Sequence, residues 1–370
     1  TARFFTANAE TSPGPSTRPQ FLTLNPASTY ISLTPMKKIK LGNTDIEAAP
    51  VGFGGIPIQH LSFEDAGKVL LRALEKGIDF FDTARGYTDS EKKIGEALSP
   101  HRDRIWLATK AMSRDRRGMR LEMETSLRNL KTEMIDLYQL HAVGDIETLD
   151  KVMGKGGALQ TLLKAREEGK IRWVGITGHS KPVLLEAVRR GGFDTVQLPF
   201  NPIEKEWEEE VIPAAKENGV GLIGMKPVAG GAIRHVSESI RWTLARGIDI
   251  SIPGMDAIEQ VDENAAAMDK PLELSSEELA RLEEDRKMWK GKFCRRCGYC
   301  MPCPEGLNIP FLLLIEAYYS RYGLKDWALE RLAGLDKKYA DCIACGTCME
   351  RCPYDLPVPE LMEKAKDIVI

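Results

Sequence analysis

The sequence predicts an α/β chain: a (β/α)8 TIM barrel followed by a small, mainly helical, cysteine-rich module. Three observations predict it. A β-branched run, a loop and an amphipathic helix recur as one unit from about residue 37 to 268. Polar residues close three successive strand candidates. All eight cysteines lie at or beyond Cys294.

The strand candidates cover 49–54, 80–83, 105–110, 135–141, 172–177, 195–201, 221–227 and 249–253, with helix candidates such as 63–76, 116–131, 180–190 and 208–218 between them. In 63–76, Phe63, Ala66, Val69, Leu70, Ala73 and Leu74 repeat at helical spacing and mark one buried face. Many helices open on an acidic or hydroxyl residue and stop at glycine. Eight such units in roughly 250 residues suit a closed barrel. An open doubly wound sheet is the alternative, but the glycines of Gly52-Phe53-Gly54-Gly55-Ile56-Pro57 run into a proline rather than a phosphate-binding helix.

The chain divides into a disordered extension over 1–35, the barrel over 36–285 and the cysteine-rich module over 286–370. The extension is rich in Ser, Thr and Pro, without the apolar core of a secretory signal, and Met36-Lys37-Lys38 reads as a natural start. A net charge of −3 argues against a nucleic-acid partner. The longest near-continuous apolar stretch, 309–315, is too short to span a bilayer, so no membrane is expected. The chain reads as cytoplasmic, and a disulfide framework, which suits small secreted domains, is not expected.

Barrel chemistry sits at the carboxyl ends of the strands. There the second strand ends in Asp82 with Tyr87 in the next loop, the third ends in Lys110 and the fourth in His141. Each residue alone has an ordinary structural explanation; the fold brings all four to one spot. Residues 79–96 (DFFDTARGYTDSEKKIGE) and 135–141 (IDLYQLH) closely resemble signatures of the aldo-keto reductase superfamily. The resemblance implies hydride transfer between a nicotinamide and a small carbonyl or alcohol, with Asp82, Tyr87, Lys110 and His141 as the catalytic tetrad. In that scheme Lys110 lowers the phenol's pKa from near 10, Asp82 holds Lys110, and His141 donates to the substrate oxygen.

The resemblance also implies cofactor contacts, and here the sequence departs from the family. Gln197 fits, but the usual Ser-Asn pair is Thr177-Gly178, with His179 as a candidate replacement. Met225 stands where a tyrosine commonly stacks on the nicotinamide, Lys226 is placed to reach a phosphate, and Gly230 and Gly231 suit a loop beside the pyrophosphate. The window 251–264, with Gly254, contains no Lys or Arg; Asp256 replaces the arginine that meets the 2′-phosphate of NADP, while Glu263 and Asn264 match the adenine contacts. NADH is therefore modestly favoured over NADPH, with Lys226 and Arg234 as the residues able to reverse that preference.

The cysteines form C-x2-C-x2-C-x2-C-P and C-x2-C-x2-C-x3-C-P. The second matches the bacterial ferredoxin run, in which the cysteine before proline ligates the other cluster. The expected sets are Cys294, Cys297, Cys300 and Cys352 for one [4Fe–4S] cluster, and Cys342, Cys345, Cys348 and Cys303 for the second. Zinc is the alternative. A capping box at Ser275 and Glu278 opens a helix bridging barrel and module. Clusters pass single electrons whereas a nicotinamide gives two, and no flavin motif is present. Three functions stay open: a reductase whose clusters serve an external electron carrier, a reductase with structural or sensing clusters, and an electron-transfer or regulatory protein whose barrel only binds nucleotide.

Overall fold

The structure, a computed structural model, describes residues 37–289, 291–292 and 294–368. The extension expected over 1–35 lies outside the described residues. A short antiparallel hairpin (Ile39–Lys40 with Glu47–Ala48) comes first. Eight parallel strands follow: β1 Phe53–Gly54, β2 Phe80–Asp82, β3 Trp106–Ala111, β4 Ile135–Leu140, β5 Ile171–Thr177, β6 Thr195–Pro199, β7 Gly221–Met225 and β8 Ile250–Ile252.

The strands pair in sequence order, and β8 returns to the first strand: Gly52 N–H donates to Ser251 O (2.8 Å), Ser251 N–H to Pro50 O (2.8 Å) and Gly54 N–H to Pro253 O (2.8 Å). Closure decides against the open sheet. Six of the eight strands are shorter than the sequence suggests, β3 and β5 being the exceptions, and two of the reasons are local. At Lys226 the backbone turns to φ 56°, which ends β7. At Asn201 the side-chain oxygen accepts from the N–H groups of Ile203 and Glu204, forming a turn where a longer β6 was expected.

The outer helices are α1 Phe63–Glu75, α2 Ser90–Leu98, α3 Arg116–Asn129, α4 Ile146–Met153, α5 Ala158–Glu167, α6 Lys181–Arg190, α7 Val211–Glu217, α8 Val236–Ala245 and α9 Ile258–Ala266. Helix α1 is capped by Ser62, whose hydroxyl accepts from Asp65 N–H, and it buries Ala66, Val69, Leu70, Ala73 and Leu74 as the spacing requires. Phe63, read with that face, is 48% exposed because it stands on the first turn, where the ammonium of Lys93 covers its ring. The hairpin plugs the amino-terminal end of the barrel: Leu41, Ile46 and Ala48 pack on Phe80, Leu137, Ile223 and Ile250.

Helix α10 (Ser276–Trp289) starts with the expected capping box, Ser275 N–H donating to Glu278 Oε2 (2.9 Å) and Glu278 N–H to Ser275 Oγ (3.3 Å). It stays with the barrel: Leu282 joins its core, Asp285 accepts from Arg234 and His235, and Trp289 Nε1 donates to Ala232 O. A second core follows, built from α11 (Ile309–Ser320), α12 (Lys325–Ala333), α13 (Thr347–Glu350) and α14 (Val358–Ile368). Helix α11 (IPFLLLIEAYYS) is apolar on nearly every side. Such a helix must be covered all round, and here one side faces the module core and the other the barrel mouth. No described helix is long and apolar enough to cross a membrane.

Packing between α2 and α3 gives a test of this architecture. A Cβ on Gly95 would stand 2.1 Å from Asn129 O, a backbone atom that cannot rotate away. Gly95→Ala is expected to destabilise the fold by about 1–3 kcal/mol, seen as a lower urea midpoint with an unchanged denaturant slope.

Candidate active site and cluster sites

Asp82, Lys110 and His141 reach one end of the barrel because β2, β3 and β4 all finish there. Asp82 and Lys110 are almost fully buried, and Lys110 Nζ lies 2.5 Å from Asp82 Oδ2 while also donating to Thr83 O (2.8 Å). Burial raises the carboxyl's pKa and lowers that of the ammonium; their mutual attraction opposes both effects and holds the ion pair. Asp82 Oδ1 accepts from Gln139 Nε2 (3.2 Å), which also donates to Gln197 Oε1 (2.9 Å). Gln139 was not singled out in the sequence. The signal was its inward position two residues before His141 on a strand whose every residue is buried.

Tyr87 stands in a tight loop. Tyr87 N–H donates to Ala84 O and Ser90 N–H to Tyr87 O, while Ser90 Oγ ties the loop to Gly55 O. Its ring lies 5.1 Å from Lys110 Nζ and meets the His141 ring edge-on at 5.9 Å. His141 is fixed from behind by Arg114, which donates to the carbonyls of His141 and Ala142 (both 2.8 Å). Its Nδ1 is buried without a hydrogen-bond partner. Burial, then the nearby cations led by Lys110, holds the imidazole well below its usual pKa, so it is neutral.

The expected depression of the Tyr87 pKa does not occur in this structure. Burial raises it far above the ordinary phenol value, and the Asp82 charge raises it further. Burial is the larger cause, and the nearby guanidinium of Arg296 opposes it only in part.

Asp82, Tyr87 and His141 open on one cavity of about 640 Å³, with Lys110 behind them. The same cavity is lined by Thr177, Gln197, Met225, Lys226, Gly254, Asp256, Glu263 and Asn264. Thr177 Oγ1 accepts from Ala142 N–H (3.0 Å), which leaves its own hydroxyl proton to donate. Asp256 lies 3.3 Å from His60 Nε2. Arg234 does not approach this cavity as the sequence reading allowed, because its guanidinium is bound to Asp285 (2.8 Å).

Sequence reasoning missed the cavity's other side. Phe311, Leu314, Tyr318, Arg321 and Tyr322, on and just after α11, line it together with Trp327 and Arg331 of α12 and Arg296 of the first cysteine loop. Arg296 Nη2 donates to His179 Nε2 (2.5 Å). Gly230 has φ 65°, and a Cβ there would stand 2.2 Å from Tyr322 Oη; its smallness admits the module. Glu206 anchors the same interface, accepting from Arg295 (2.8 Å) and from Tyr354 Oη (3.0 Å).

Two further cavities lie in the module. Cys294, Cys297, Cys300 and Cys352 line one; Cys303, Cys342, Cys345 and Cys348 line the other. Every cysteine is a free thiol. Apolar side chains close both chambers, Leu313, Leu356 and Val358 around the first and Leu307, Val358 and Met362 around the second. Among the described residues no three Cys, His, Asp or Glu side chains converge as a single ion requires. Four thiols spread around an apolar chamber fit a cluster that takes one ligand at each corner.

The sequence over residues 50–239 matches the aldo/keto reductase family, and residues 293–356 match a 4Fe-4S dicluster domain. The chain belongs to the aldo/keto reductase family. It is 26% identical over 314 residues to the probable aldo-keto reductase 1 of Glycine max, an alignment covering 67% of this chain and 88% of that protein. It is 27% identical over 306 residues to the L-galactose dehydrogenase of Arabidopsis thaliana, covering 68% and 94%. The holo form of aldo-keto reductase AKR11C1 from Bacillus halodurans superimposes with a TM-score of 0.60 at 25% identity, covering 68% of this chain and 96% of that one. Together the two matched regions make the protein an oxidoreductase with an iron–sulfur module.

The buried tyrosine gives a direct test. The difference spectrum between wild type and Tyr87→Phe is expected to show no phenolate absorbance up to about pH 10, where an ordinary tyrosine is half ionised. A Tyr87 phenolate appearing at lower pH would mean that Lys110 acts on the phenol more strongly than Asp82 and burial do.

Proposed function

We propose that the protein reduces small aldehydes or ketones, or oxidises the corresponding alcohols, with a nicotinamide cofactor, and that two [4Fe–4S] clusters in its carboxyl-terminal module carry electrons. The observation that carries the reading is the convergence of Asp82, Tyr87 and His141, with Lys110 behind them, on one cavity that also holds all eight expected cofactor contacts. Thr177 and Gln197 would hold the carboxamide, Met225 would cover the ring and Lys226 would meet a phosphate. Gly254, Asp256, Glu263 and Asn264 would face the adenosine half. The absence of Lys and Arg from 251–264 supports NADH over NADPH. The His60 contact softens that preference by shielding the Asp256 carboxylate.

The bound nicotinamide supplies a hydride to the carbonyl carbon. The neutral His141 ring donates to the carbonyl oxygen and orients it. Tyr87 gives its phenolic proton to the same oxygen as charge develops there, so carbonyl, hydride and proton together make the alcohol. The phenolate left behind is where Lys110 acts: its ammonium lies close to the ring, and the attraction grows only as negative charge appears. That is stabilisation of the transition state rather than the ground state. The raised pKa of the phenol keeps its proton in place at neutral pH, the form that reduction needs.

Cys294, Cys297, Cys300 and Cys352 would ligate one cluster, and Cys342, Cys345, Cys348 and Cys303 the other. Cys345 and its neighbour Ile343 are exposed, Ile343 by 63%, which supports access of an external electron carrier to the second cluster.

Tyr87→Phe is expected to abolish carbonyl reduction while NADH still binds, and still more tightly than NADPH, as followed by fluorescence titration. Comparable turnover by the variant would remove the tetrad assignment. Iron and acid-labile sulfide are each expected at about eight per chain after anaerobic purification. Cys352→Ser is expected to lose the cluster of the first triplet and keep the other, as read by iron content and electron paramagnetic resonance. Loss of the Cys342 cluster instead would show local ligation.

A further inference from the structure

The cationic residues around the barrel cavity outnumber what the nucleotide needs. Its lining includes Lys226, Arg296, Arg321 and Arg331, against Asp82, Asp256 and Glu263. Asp82 is neutralised by Lys110, and Asp256 and Glu263 belong to the β8 side, in the loop after that strand and in α9. Lys226 follows β7, on the expected phosphate side of the cofactor. Arg331 already meets Glu330 at 3.1 Å.

Arg296 is different. It comes from the cysteine loop rather than the barrel, at a backbone φ of 58° that few non-glycine residues adopt. Its recorded hydrogen bonds among the described residues go to the His179 ring, and no carboxylate lies within ion-pair distance. A guanidinium has only N–H donors, five in all. The His179 nitrogen it meets must therefore be an unprotonated acceptor, and burial with the Arg296 charge holds that imidazole neutral. The guanidinium thus keeps its charge with no carboxylate partner among the described residues, between the barrel cavity and the chamber of Cys294, Cys297, Cys300 and Cys352, both of which it lines. Arg296 lines the barrel cavity, and its charge is felt at Tyr87, His141 and Tyr318.

We infer that Arg296 is a substrate-recognition residue supplied by the cysteine-rich module, and that the substrate is a carbonyl compound carrying a carboxylate, whose charge pairs with the guanidinium while its carbonyl lies at Tyr87 and His141. The inference rests on the proposed reductase reading for the position of the carbonyl. A planar guanidinium fork matches a carboxylate with two parallel hydrogen bonds, which a lysine cannot reproduce. His179 fixes one edge of the fork and so orients the rest. The aromatic surface of Tyr318, Tyr322 and Trp327 beside it excludes water, which strengthens the pairing.

The test is calorimetric titration of the full, cluster-loaded protein, saturated with NAD+ so that no bound carbonyl is reduced and kept anaerobic, with pyruvate, acetoacetate and levulinate, each against its uncharged amide. At least one acid is expected to bind about tenfold or more tightly than its amide. Arg296→Gln is expected to remove that difference and Arg296→Lys to restore part of it, with NADH affinity and iron content unchanged. Equal binding of every acid and its amide by the wild type would overturn the inference, without needing any variant to fold. So would an Arg296→Gln protein that keeps the preference, or one that loses NADH affinity or shifts a cluster's reduction potential instead. Acids that bind through Arg296 but are never reduced, while an uncharged carbonyl is, would overturn this inference and keep the reductase reading; reduction of no carbonyl at all would remove the reductase reading itself.

Discussion

A carboxylate and an ammonium enclosed in the barrel determine the chemistry around them. Separated, Asp82 and Lys110 would each be driven toward the neutral form by burial; together they keep their charges and cancel them for the surroundings. Breaking such a pair by removing one partner costs about 3–5 kcal/mol, because the other charge is stranded. Gln139, on β4, bonds both Asp82 on β2 and Gln197 on β6, and so extends the constraint across the barrel. The carboxylate of the pair adds to burial in holding the Tyr87 phenol protonated.

The barrel was legible because its signals are periodic and local. The α1 face could be read from the spacing of Ala66, Val69, Leu70, Ala73 and Leu74, and the strand ends from their polar residues. The two cysteine sets could be read because short spacings and a following proline constrain the chain over a few residues. The two sets line two separate chambers. What stayed hidden was non-local. Nothing in C-R-R-C indicates which arginine turns outward and which inward; Arg295 goes to Glu206 and Arg296 to His179. The sequence reading took Gly230 for a pyrophosphate loop, where the nearest constraint is the Tyr322 hydroxyl.

The cysteine-rich module is therefore more than an appended electron store. Helix α11 has no polar face, and its two apolar sides satisfy two different surfaces, one packed around the thiol chambers and one completing the cavity above Tyr87. Ile56, in the loop after β1, packs against the module core, while Arg295 and Tyr354 both bind Glu206.

Helix α11 also couples the life of the clusters to the shape of the pocket. Its side chains hold the walls of both, so damage that collapses a thiol chamber pulls on the residues that shape the carbonyl site. A chain cut after α10 would keep Asp82, Tyr87, Lys110 and His141, yet the cavity they share would stand open to water on one flank.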